Sequence, residues 1–186
     1  MNDRVLETLF KRMELNEKIG LCIPKILNVD GTIQYVNKKL PQPFDLIFRR
    51  IRFFSKYGPS IVQKLMKSYE LRDMYDFNAF LCPYISGCFM FCRSEVIQKV
   101  LGFDEKFFLY LEETDLARRM MKHADNVVFC DLSVDHVWTR GPYDSVKLFL
   151  INVRSMCYYF GKWRWFFDQE RKKLNAKIGQ YNYVSK

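Results

Sequence analysis

The stretch "FFLYLEETDLARR", Phe107 to Arg119, decides how this sequence reads. Three acids stand directly behind five large apolar and aromatic residues and just before two arginines. In one reading the block is a helix start near Thr114. Glu112, Glu113 and Asp115 then lie at the positive end of the helix dipole, each stabilised by about 0.3–1 kcal/mol. Thr114 or Glu113 caps free backbone N–H groups, and Arg118 and Arg119 pair back. In the other reading, the apolar wall places a carboxylate in a partly dry pocket, where its proton affinity rises and it can take a proton from a hydroxyl. The two readings place the same acids at the mouth of one helix.

Working upstream, "GFDE" adds Asp104 and Glu105 at a turn. Ser94 caps a short helix to Val100. "FLCPYISGCFMFC" reads as one buried strand, with a close backbone approach at Ser86-Gly87. Leu40 to Phe80 reads as one or two short helices in a long excursion. "NVDGTIQYV" is a turn followed by alternation, and "IGLCIPKIL" a buried strand ending at its proline. Asn2 or Asp3 caps a first helix whose stripe is Val5, Leu9 and Met13 with Leu6 and Phe10. Downstream, "NVVFCDLSVDHVW" reads as a strand pair carrying His136 near its end. A long helix follows from about Ser145 to Phe160, with a stripe of Val146, Phe149, Leu150, Val153, Cys157 and Phe160. "KWRWFFDQERKKLN" closes the pattern as a basic, aromatic amphipathic piece. No internal repeat is present.

The 186 residues suffice for one domain with a core, and 27% charged residues against 49% apolar is a globular balance. The net charge of +9 is uneven: Arg140 to Lys186 holds ten Lys/Arg against three Asp/Glu, or +7. That excess points to an anionic surface or to a solubilising face. Six scattered cysteines without a C-x-x-C pair argue against a zinc ribbon and for buried thiols in a reduced, cytoplasmic setting. Met1 to Asn16 is too charged for a signal peptide, and no apolar run approaches a membrane span.

"SGCFMFCRSEVIQKVLGFDEKFFLYLEETDLARRM" resembles the second half of the catalytic domain of family 2 inverting glycosyltransferases, in the rhamnosyltransferase-like branch. Their Ser-Gly-Cys strand, Gly-Phe-Asp-Glu turn and Glu-Asp-x-Asp-Leu acidic motif have counterparts here. "PKILNVDGTIQY", "YELRD" and the C-terminal "YFGKWRWFFDQERKKLN" extend the likeness over nearly the whole chain. The resemblance implies an α/β fold: a partial GT-A (Rossmann-like) glycosyltransferase fold with C-terminal amphipathic helices. It implies residues 1–140 as the acceptor-side half and residues 141–186 as a basic aromatic helical tail. The implied activity is inverting transfer of a sugar from a nucleotide-sugar to a polysaccharide or lipid-linked acceptor. Glu113 stands where the family has its base, commonly aspartate, while Glu112 and Asp115 orient the loop and helix. Ser86, Gly87, Cys88, Asp104, Arg119 and Trp138 are the implied substrate-binding residues. His136 matches a late histidine that reaches a divalent metal, Mg or Mn, or the diphosphate.

The family's nucleotide-binding half, with its acidic metal motif, has no counterpart before the first helix. The expectation is therefore an incomplete enzyme with weak or no donor binding, an exposed sheet edge, and association with itself or with a missing donor half. The other expectation is a catalytically inactive module that binds a membrane or a protein. Lys162, Trp163, Arg164, Trp165, Phe166, Phe167, Arg171, Lys172 and Lys173 suit a helix lying on an anionic membrane, peripheral at its inner face. Packing of those aromatics on the domain fits the same residues. No recognition motif supports a nucleic-acid partner.

Overall fold

The computed structural model describes residues 3–50, 60–137 and 145–183. Their order is α1 (Asp3–Leu15), β1 (Ile19–Leu27), α2 (Pro43–Arg50), α3 (Ser60–Tyr69), a 3-10 turn (Arg72–Asp76), β2 (Ala79–Leu81), β3 (Phe91–Cys92), α4 (Ser94–Lys99), α5 (Glu112–Met120), β4 (Asp125–Asp135), α6 (Val146–Lys162), a 3-10 turn (Trp165–Phe167), α7 (Gln169–Asn175) and β5 (Gly179–Gln180). The class is α/β. One mixed sheet runs in the order β3-β1-β4-β2-β5, with β1 and β4 parallel and the remaining pairs antiparallel.

Strand alternation sorts the core onto two faces. Leu21, Ile23, Val128 and Cys130 face one cluster with Leu116, Ala117 and Met120 of α5. Cys22, Val127 and Phe129 face the other, with Val5, Leu9 and Met13 of α1. Ile19 joins Cys22 rather than Leu21, because the register shifts between Ile19 and Leu21. Gly20 sits at that shift, and a Cβ there would lie 2.5 Å from the Ala124 Cβ. The strand and the chain entering β4 therefore touch backbone to side chain.

Several expectations are met. The α1 stripe is buried at Val5, Leu9 and Met13, although Phe10 is 55% exposed because the helix covers the sheet with one narrow face. The Asn28–Thr32 turn closes with Gly31 at φ 79°, and Ile33 bridges back to Leu27. The long helix expected from about Ser145 is α6, and the Ser145 hydroxyl accepts from the Leu148 N–H at 3.4 Å at its start.

Others are corrected. Pro24 does not end β1, which runs on to Leu27. Its missing N–H falls where the register slips between Pro24 and Lys25. The apolar run from Phe80 to Cys92 is not one strand. β2 pairs with β4 and β3 pairs with β1, on opposite sides of the β1–β4 pair, so the residues between them cross the sheet. "DNVVFCDLSVD" is one eleven-residue strand, not a pair. Arg93 rather than Ser94 precedes α4, and α5 begins at Glu112, two residues before Thr114. Arg93 instead donates to the carbonyls of Met13, Asn16 and Ile19, satisfying the end of α1.

The α6 stripe is corrected except at Phe160, which is buried. Its buried residues are Ser155, Tyr159 and Phe160, while Val146 and Leu150 are 76% and 61% exposed. The C-terminal segment is packed on the domain, since β5 pairs with β2 and Tyr159 and Phe160 join Phe107 and Leu111 in one cluster. The boundary expected between residues 140 and 141 falls outside the described residues. Both sheet edges, β3 and β5, are two residues long, which gives a stranger's strand little to pair with.

Candidate functional site: the acidic start of α5

Tyr110 and Leu111 enter α5 at φ 72° and 69°. Neither is glycine, so each left-handed residue costs roughly 1–2 kcal/mol. The turn they make delivers Glu112 and Glu113 at the first turn and buries Thr114, Asp115 and Arg118.

Asp115 is fully buried and fully engaged. It accepts from Arg119 Nε at 2.7 Å, Lys162 Nζ at 2.9 and 3.0 Å, and Trp163 Nε1 at 2.8 Å. Lys162 also reaches Asp104 at 2.6 Å, and Tyr158 donates its hydroxyl to the same carboxylate at 2.9 Å. Burial works against the Asp104 charge, but Lys162, the Lys106 amide and Tyr158 hold its pKa down at about 2. Arg119 donates onward to the carbonyls of Val100 and Gly102. Three residues expected at a substrate or acting as catalytic acids, Asp104, Asp115 and Arg119, thus form an ion-pair lattice between the "GFDE" turn, α5 and α6.

Arg118 extends that lattice. Its guanidinium is fully buried and grips Asp168 with two bonds of 2.6 Å, with Glu170 at 3.2 Å and the Trp163 ring 3.7 Å away. This fork docks the C-terminal segment on α5.

Glu112 and Glu113 stand outside the lattice. Glu113 accepts the Tyr84 hydroxyl on Oε1 at 3.0 Å. A Cβ at Gly87 would lie 3.3 Å from the Glu113 Cβ, so the crossing segment meets the helix start at this glycine. Burial, and then the charge of Glu113, push the Glu112 carboxyl up to about 6. Its Oε2 is buried and has no hydrogen-bond partner among the described residues. Asn37, fully buried, accepts the Ser86 N–H at 3.1 Å and so fixes the crossing segment. Burial raises the Cys88 thiol, opposed by the Ser86 hydroxyl and the nearby Lys38 charge. Lys38 is 4% exposed, donates to the Val36 carbonyl at 3.0 Å and lies 5.4 Å from the Tyr84 ring. Sequence reasoning missed Asn37, Lys38 and Tyr84. Only the polarity of "NKK" before an apolar region hinted at them.

His136 is engaged elsewhere. Its Nδ1 lies 3.3 Å from Gln34 Oε1, and Gln34 Nε2 donates to the His136 carbonyl at 2.6 Å. Among the described residues no group of three His, Cys, Asp or Glu converges as metal ligands. The described residues around His136 therefore do not form a site for the implied Mg or Mn. Trp138 lies outside the described residues. A cleft of about 270 Å³, lined by Lys18, Lys122, His123, Asp125 and Lys177 among others, opens at the other end of α5, away from Glu112 and Glu113.

The basic aromatic tail divides. Trp163 is turned to Asp115 and Arg118, Lys162 to two carboxylates, and Arg171 is buried with its side chain on the Trp165 carbonyl. These three are turned to the domain: carboxylates hold Lys162 and Trp163, and the Trp165 carbonyl holds Arg171. Trp165, Phe166 and Phe167 remain 41%, 51% and 81% exposed, beside exposed Arg164, Lys172 and Lys173. No family model, curated protein or solved structure matches the chain.

Proposed function

We propose that the chain is the acceptor-side region of an inverting glycosyltransferase of GT-A type, acting with a nucleotide-sugar donor on a saccharide or lipid-linked acceptor. The observation that supports this reading most is the approach of Gly87 to Glu113. Residues 26 positions apart in the chain meet at the one acid of the block that Tyr84 orients. In the reaction the acceptor O–H bond breaks as its oxygen forms a bond to the anomeric carbon. The bond from that carbon to the nucleotide oxygen breaks, and the proton passes to a carboxylate. Glu113 is the proposed base, with its Oε1 positioned by Tyr84. Glu112 is the second carboxylate. Its proton affinity exceeds that of an ordinary glutamate, and its charge favours a hydroxyl donor over an anion beside it. Ser86, Gly87 and Cys88 border the acceptor.

The competing reading, an inactive interaction module, is favoured by the closed ion-pair lattice around Asp115, which needs no substrate to explain it. A glycan array separates the two. The wild-type chain is expected to retain a subset of saccharides, and Gly87→Val, which fills the approach to Glu113, is expected to lose them. An array with no retained saccharide would remove the transferase reading.

A further inference from the structure

The outward face of α6 carries exposed apolar side chains. Val146, Leu150, Val153 and Cys157 recur at steps of four, three and four, so they form a stripe about 60° wide along the helix. All four are exposed, while the opposite side of the helix holds Ser155 and Tyr159 against the domain. The Ser155 hydroxyl donates to the Leu109 carbonyl at 2.6 Å, which fixes the rotation of the helix. The stripe is therefore held outward by the packing of the other face. Lys147 and Arg154 lie along its flank and are exposed. The helix contains no acidic residue from Val146 to Lys162.

We propose that this face docks on an anionic phospholipid surface, with α6 lying in the plane of the interface. Apolar side chains flanked by cations, without a carboxylate on the element, match acyl chains below anionic headgroups. Among the described residues no helix is long and apolar enough to cross a membrane, so the helix rests on the surface. The face lies on the outward side of α6 and not on the Trp163–Lys173 segment, in which Trp163 and Arg171 are turned inward. This inference does not depend on the transferase reading.

Flotation of the full chain with vesicles tests it. Vesicles of phosphatidylcholine with 30% phosphatidylglycerol should carry the protein, and phosphatidylcholine alone should carry far less. Val146→Glu with Leu150→Glu changes only exposed side chains and should lower the partition coefficient at least roughly tenfold. Lys147→Gln with Arg154→Gln should lower it about 25-fold on anionic vesicles only. Trp165→Ala with Phe167→Ala should leave most binding in place. Circular dichroism melts confirm that each variant is folded. Failure to float with anionic vesicles overturns the proposal, as does unchanged flotation of the Val146/Leu150 variant. Loss confined to the Trp165/Phe167 variant gives the surface to the tail and overturns it too. A concentration-dependent dimer abolished by the Val146/Leu150 substitutions assigns the face to a second copy and has the same effect.

Discussion

Replacing Asp168 removes the carboxylate that meets both arms of the buried Arg118 guanidinium. That guanidinium has no exposed surface, and its two shortest bonds, both 2.6 Å, end on Asp168. Breaking one side of a buried pair typically costs about 3–5 kcal/mol, because the remaining charge is left without compensation. Glu170 at 3.2 Å and the Trp163 ring soften the loss, so Asp168→Asn is expected near 3 kcal/mol, about the low end of that range. Asparagine still caps α7, whose Arg171 N–H now bonds Asp168 Oδ1 at 2.9 Å. Asp168→Ala also loses that cap, adding about 1 kcal/mol. Urea denaturation followed by circular dichroism measures both. The paired replacement Arg118→Met with Asp168→Leu should recover most of the loss, since no charge is stranded. An Asp168→Ala variant within about 1 kcal/mol of wild type would refute the docking of the tail through this fork.

Gly20→Ala should destabilise by about 2 kcal/mol, because its Cβ would meet Ala124 at 2.5 Å, and Ala124→Gly in the same chain should relieve it. Thermal melts of the single and double variants check this; equal melting of wild type and Gly20→Ala would contradict the close approach. Glu112 gives a pH signature. Its folded-state pKa of about 6 exceeds the ordinary 4.5, so the folded chain holds that proton more tightly. Its contribution is full below about 4.5 and is lost as pH rises through 6, an effect of about 1–2 kcal/mol. Glu112→Gln should flatten that part of the stability–pH curve, and an unaltered slope would show that the carboxyl is solvated.

Local signals were legible where one element satisfies itself. The α1 stripe, the Asn28–Thr32 turn and the start of α6 near Ser145 are set within a few residues, so periodicity and turn chemistry find them. What needs distant partners was not legible. The run from Phe80 to Cys92 is uniformly apolar, and nothing local says that two strands will lie between its ends. Asp115 reads as a dipole acid or a catalyst until Lys162 and Trp163, 47 and 48 positions on, close around it. Trp163 reads as an interfacial aromatic for the same reason. The α6 periodicity was correct but did not say which side faces the domain. Ser155 and Tyr159 decide that by bonding and packing, and a small polar residue among aromatics is easily passed over. Glu113 was legible as a candidate from its neighbours, whereas Tyr84, which positions it, carried no signal of its own.

The proposal stands on a saccharide hydroxyl arriving at the Glu112–Glu113 pair. Carboxyl-detected NMR of the chain labelled at glutamate Cδ, titrated with the best saccharide from the array, observes that event at the atoms concerned. The account predicts that the Glu112 and Glu113 signals move with saccharide while Glu170, in the lattice, stays still, and that Tyr84→Phe weakens the response. Saccharide binding that leaves both signals in place and moves others would contradict it.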